Sequence, residues 1–224
     1  MITTAERALA GRVPPARRRW WTRYWPYVTV ILVFAVSRLF YRFGLDLQFD
    51  YTPIYYFVQY LSPWFVRHDF LRSLLYLHQQ APLQNVLTGG CLRIFGVPAA
   101  FTALAAIYAA LGIATALGML HAMLRLGAAR PIAAVSAALY AASPAAAFYG
   151  NWLFYQVPVT ALLTLSLVAL LRYYRIGSFG AGLCFFSLFA TTSLFYAVLN
   201  PVLLVGVTLA LLVRPPVPTP WRGS

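Results

Sequence analysis

Side chains able to do acid–base or phosphate chemistry are scarce in this chain, and most of them fall together. Asp46, Asp50 and Asp69 share one stretch with Arg67, His68, Arg72 and His78, and that stretch runs into Gln79, Gln80, Gln84 and Asn85. A carboxylate such as Asp50 can act as a general base toward an attacking hydroxyl or amine; Asp46 is its reserve. Arg72 and His78 can grip a phosphate through charge-assisted hydrogen bonds. His78, Gln80 and Asn85 lie where an apolar segment opens, and free N–H groups at a helix start also hold anions. Asn151 is a further amide on the same predicted face. Each residue has a plainer reading beside this one. Aspartate in a loop often caps a turn, arginine at an apolar edge snorkels, and polar groups at a helix start cap it. Asp46 and Asp50 alone would make only a weak divalent-cation site, so no cofactor is expected.

The elements that must hold these groups are set by composition. Of 224 residues, 62% are hydrophobic and 9% charged, where a soluble domain carries about 25% charged residues. A disordered chain, a coiled coil, a collagen-like repeat and an ordinary cytosolic enzyme are excluded. An integral membrane protein with several spans remains. The 17 basic residues, all arginine, outnumber 4 acidic ones and leave a net charge of +13. Such a charge suits a nucleic-acid binder, but its placement argues against one. Arg7, Arg12, Arg17, Arg18, Arg19 and Arg23 fill the N-terminal tail, and most others flank apolar runs. Arginine so placed orients spans and meets anionic head groups, so membrane lipid is the expected partner. Cys91 and Cys184 imply neither a disulfide framework nor a zinc site.

The chain divides into a cytoplasmic basic tail (1–24), a transmembrane module (25–214) with an outer loop at 44–81, and a Pro-rich tail (215–224). The run Trp25–Phe43 is too long for a signal-peptide core and lacks a small-residue cleavage site, so it reads as a retained anchor in the cell membrane with a cytoplasmic N-terminus. Arg38, near its far end, either snorkels or points into the protein. The outer loop should hold short interfacial helices, starting at Ser62-Pro63 and at Asp69. Further spans are expected at Ala99–Leu124, Pro131–Tyr149, Trp152–Leu171, Phe179–Tyr196 and Ala197–Val213. Pro82–Phe95 has only 14 residues, short of the about 20 needed to span; it is either a half-helix or a short true span. If it does not cross, Arg125, Arg130, Arg172, Arg175, Arg214 and Arg222 share the tail's side, as the positive-inside rule favours. Small residues recur at every fourth position in Ala106, Ala110, Ala114, Gly118 and Ala122, and in Ala133, Ala137, Ala141 and Ala145, a pattern for close helix packing in lipid.

Several of these residues carry a resemblance. The runs Gln48-Phe49-Asp50, Arg72 to Asn85, Pro144 to Pro158 and Thr192 to Tyr196 are similar to motifs of the GT-C membrane glycosyltransferases, which include the dolichyl-phosphate-mannose protein mannosyltransferases and the aminoarabinose transferases of lipid A. The chain departs from the pattern at Ala81-Pro82, where the family has Pro-Pro, and at Thr192 and Tyr196. The resemblance implies an all-α polytopic bundle of GT-C type and the N-terminal module of an enzyme about half of whose length is present. It implies transfer of a sugar from a polyprenyl-phosphate donor to an acceptor at the outer face, with Asp50 as base. It implies that Asp46, Arg72, His78, Gln80, Asn85 and Asn151 bind substrate. The alternative is a non-catalytic membrane module that binds a lipid carrier or a partner subunit. Nothing in the residues sets an oligomeric state.

Overall fold

The computed structural model describes residues 16–57, 60–75, 82–196 and 202–213, and among these the regular structure is helical. Helix α1 (Ala16–Leu39) widens at its end into a π-helical turn, Phe40–Gly44. Three short helices follow in the loop: α2 (Pro53–Tyr56), α3 (Pro63–His68) and α4 (Phe70–Leu75). Then come α5 (Leu83–Phe95), α6 (Val97–Arg125), α7 (Arg130–Ala142), α8 (Pro144–Gly150), α9 (Gln156–Ile176), α10 (Phe179–Phe195) and α11 (Val202–Val213). Proline opens α2, α3, α6, α7 and α8 within the first turn, where its missing N–H costs nothing because that group has no helical partner. Glycine closes others. Gly177 ends α9 in the left-handed region at φ 61°, and Gly96, at φ 74° and ψ 171°, reverses the chain between α5 and α6 in one residue, a backbone shape that residues with a Cβ avoid.

Trp21–Gly44, Val97–Arg125 and Gln156–Ile176 are long and apolar enough to cross a membrane, and α7 with α8 qualifies as one pair bent by 53°. Their outward faces are greasy. Ile31, Leu32 and Val36 on α1, and Ile132, Val135 and Leu139 on α7, are exposed. Apolar surface this continuous suits lipid rather than water.

Helices α1 and α6 run antiparallel. Tyr27 meets His121 at one end, and Phe34 lies against Gly112 further along. Helix α7 runs beside α1, from Arg130, which donates to the Thr22 carbonyl, to Ala141, whose carbonyl accepts from Ser37. The bundle therefore has an arginine end, where α1 and α7 begin and α6 and α9 finish, and an aspartate end carrying the loop. Helix α5 covers only the first half of α6: its Gln84 pairs with Tyr108, and its far end turns at Gly96 into the start of α6. It is a half-helix that does not reach the arginine end. Arg125, Arg130 and Arg175 gather at the arginine end with Arg23.

Several expected boundaries shift. Helix α1 already begins at Ala16, inside the stretch read as a tail, because arginine is a good helix former. The run Pro131–Tyr149 breaks at Ser143, whose side chain accepts from Ala146 N–H and caps α8. The following span starts at Gln156 rather than Trp152. The small-residue ridge of α7 is buried at Ala133, Ala137 and Ala141, but Ala145, beyond the break, is exposed. On α6 the ridge is buried at Gly118 and Ala122 only; in the first half Ala100, Leu104 and Tyr108 face inward and Ala106 and Ala110 face out. Ser62 precedes α3 as expected but makes no side-chain cap.

Gly118 marks a close contact between spans, since a Cβ there would lie 2.8 Å from Thr164 Cγ2 on α9. Without a hydrophobic drive between helices in lipid, such close approach carries the association. Gly118→Val is expected to destabilise the bundle by about 1–3 kcal/mol, the usual cost of overpacking. Gly90→Ala, at a helical position facing open space, should raise stability by about 0.5–1 kcal/mol. Thermal unfolding of both variants in detergent checks this.

Candidate functional site

At the aspartate end the chain between α8 and α9, residues 151–155, is not helical, and Leu153 and Phe154 within it are buried. Its backbone groups need partners, because an unpaired N–H or C=O away from water is costly. The loop supplies them. Asp50 N–H donates to the Asn151 carbonyl at 2.6 Å, and Leu153 N–H donates to the Asp50 carbonyl at 2.9 Å, so Asp50 and Trp152 form a short parallel bridge. The Tyr60 hydroxyl donates to Leu153 O at 2.8 Å, and the Tyr108 hydroxyl donates to Phe154 O at 2.7 Å. Gln84 Nε2 then donates to the Tyr108 oxygen at 3.0 Å. Burial, with Tyr108 and Tyr155 nearby, pushes the Tyr60 hydroxyl well above the usual phenol range, so it stays a donor. Aromatic rings close over the bridge: Trp152 stacks on Phe154 at 4.8 Å, and Tyr51 stacks on Phe101 at 4.1 Å.

Asp50 is thus fixed by its backbone, and its carboxylate is partly occupied. Oδ1 accepts the Thr52 N–H at 2.9 Å, an Asx turn leading into α2. Asp50 makes no ion pair among the described residues. Asn151 stands next to it; its Nδ2 donates to Ala147 O at 2.9 Å and finishes α8.

The other predicted residues are dispersed. Asn85 is buried on α5, and its Oδ1 accepts the Leu61 N–H at 2.9 Å, anchoring the loop to the half-helix. Asp46 is exposed, sits at a left-handed φ of 49°, and accepts from Gln48. Arg72 faces out from α4, with its side chain 71% exposed and Asp69 4.0 Å away, a solvent-screened pair of little energetic weight. His78 and Gln80 lie outside the described residues. No three His, Cys, Asp or Glu side chains gather to hold a metal among the described residues.

The structure brings forward another group instead. Arg38 points inward. Its Nη2 donates to Ala146 O at 3.1 Å, its guanidinium lies 4.6 Å above the Phe34 ring, and its Nη1 is buried with no partner among the described residues. It walls two adjoining cavities of about 360 and 410 Å³, which also share Gly112 and Gly150. Asn151 and Tyr108 line the first, and Gln156, whose Oε1 is likewise buried and unmatched, lines the second. A guanidinium that lines a cavity can take an anion of matching shape, and its planar form suits phosphate. The sequence signal was an arginine inside an apolar run; its direction depends on a carbonyl far away in the chain. Comparison with protein-family models, with curated proteins and with solved structures finds no match to this chain.

Tyr108→Phe removes a hydroxyl that serves Gln84 and Phe154 together. It is expected to lower stability by about 1–3 kcal/mol, because buried polar groups lose their partner. Thermal unfolding in detergent, compared with an exposed control such as Tyr56→Phe, measures the loss.

Proposed function

We propose that the chain is the membrane module of a glycosyltransferase that uses a polyprenyl-phosphate sugar as donor, at the membrane face carrying the loop. The observation that carries this reading is Arg38, an inward guanidinium with a buried, unmatched Nη1, lining a cavity that reaches Asn151, next to the residue 50–152 bridge. The donor phosphate seats against Arg38, with the lipid chain lying along the apolar outer surface of α1. An acceptor hydroxyl or amine attacks the anomeric carbon and gives its proton to the Asp50 carboxylate. The bond from that carbon to the phosphate oxygen breaks, and its electron pair stays on the lipid phosphate. Arg38 stabilises the charge that grows there, which is where a fixed cation helps a reaction most. The motif resemblance around Asp50 and Asn151 supports the same assignment.

A second reading, a non-catalytic module that holds a lipid carrier, draws on a specific feature: one oxygen of Asp50 already serves as a turn cap. The two readings separate in proteoliposomes loaded with radiolabelled polyprenyl-phosphate sugar. Asp50→Asn keeps an Oδ1 acceptor for Thr52 N–H but cannot take a proton. Release of sugar to acceptor or water should fall by about 10²–10⁴-fold, the usual contribution of a general base, with donor binding retained. Arg38→Gln should weaken donor binding. Donor binding without any sugar release in the parent protein would establish the carrier reading. Unchanged release in Asp50→Asn would remove Asp50 from the chemistry.

A further inference from the structure

The arginine end of the bundle holds a cavity of about 540 Å³. Arg23, Arg125, Arg130 and Arg175 line it, one each from α1, α6, α7 and α9, together with His121 and Tyr27. Four separate helices deliver guanidinium groups to one space, which no single amphipathic helix could do. The chain has only 4 acidic residues, and Asp46, Asp50 and Asp69 belong to the loop at the opposite end. Glu6 lies outside the described residues, and no carboxylate is among the residues that line the cavity, which gathers positive charge.

Its polar groups are also oriented. Arg125 Nε donates to His121 Nε2 at 3.1 Å, and Tyr27 Oη lies 3.0 Å from His121 Nδ1. A guanidinium N–H can only donate, so Nε2 is the lone-pair nitrogen and the proton of the neutral ring sits on Nδ1. Nδ1–H then donates to the Tyr27 oxygen, and the Tyr27 O–H is left to donate elsewhere. Arg130 is braced by the Thr22 carbonyl at 2.9 Å. Such an assembly of fixed donors matches a phosphate group. All three long apolar helices start or finish here, with Trp21 and Tyr24 exposed beside it, as aromatic residues are at a membrane–water boundary.

We propose that this cavity is a binding site for a phosphate-bearing anion with at least two negative charges, independent of the Asp50 and Arg38 site. Two sources share that chemistry: the head group of an anionic lipid in the bilayer and a soluble diphosphate. The test uses the full chain in nanodiscs of phosphatidylcholine. Binding is measured for fluorescent phosphatidic acid and, separately, for radiolabelled pyrophosphate. Saturable binding of phosphatidic acid, with phosphatidylcholine not competing, assigns the lipid source; saturable pyrophosphate binding alone assigns the soluble one. In either case Arg125→Gln combined with Arg175→Gln should weaken binding by about 10-fold or more, as loss of charge-assisted contacts does. The charge-keeping pair Arg125→Lys and Arg175→Lys should recover most of it. No saturable binding of either probe by the parent chain overturns the proposal, whatever the stability of the variants. Binding that survives the glutamine pair but is lost in Arg38→Gln overturns it too, by moving the phosphate to the other end.

Discussion

A chain that stops being helical within a bundle must find partners for every backbone group it frees, and residues 151–155 live under that constraint. Much of the connector is shielded from water, and the loop and α6 supply its partners. Asp50 takes both an N–H and a carbonyl of the connector through its own backbone, and Tyr60 and Tyr108 take two further carbonyls. These bonds also decide where the loop sits. Residues 46–57 lie over the bundle because their backbone completes the connector, and α2–α4 are packed down behind them through Ile54, Tyr60 and Val66. The position of Asp50 beside Asn151 is a by-product of that pairing, and it gives the proposed base a fixed rather than a floating backbone.

Charge is handled in two different ways at the two ends. At the aspartate end one arginine is drawn inward, braced by a carbonyl and an aromatic face, with a donor left over. A guanidinium tolerates this because its charge is spread over a plane and is weakly hydrated. At the other end four arginines share one opening, and a neutral histidine is held between a cation and a phenol. An anion in that opening would offset the mutual repulsion of those cations.

How much of this was legible in the residues depended on whether the cause was local. Apolar length pointed to the three helices long enough to cross a membrane, and Ser62-Pro63 and Asp69 pointed to short helices that the structure has in the loop. The break at Ser143-Pro144 was equally local but was hidden by the unbroken apolar composition of Pro131–Tyr149. The late start of α9 had no local signal, because residues 151–155 are held by Asp50, about a hundred positions away. Arg38 was readable as either snorkelling or buried, and a carbonyl of α8 decided the matter. Asn85 was legible as a polar group at a helix start. Its actual partner, the Leu61 N–H, belongs to the loop, which sequence spacing alone does not dock.

The half-length of α5 has a mechanical meaning. Together with α2, α3 and α4 it adds bulk alongside one half of α6 and none alongside the other. On that side of α6 the described helices are therefore thicker toward the loop than toward the arginines. Acyl chains lying along that side of α6 would meet a step where α5 begins rather than one continuous helical wall.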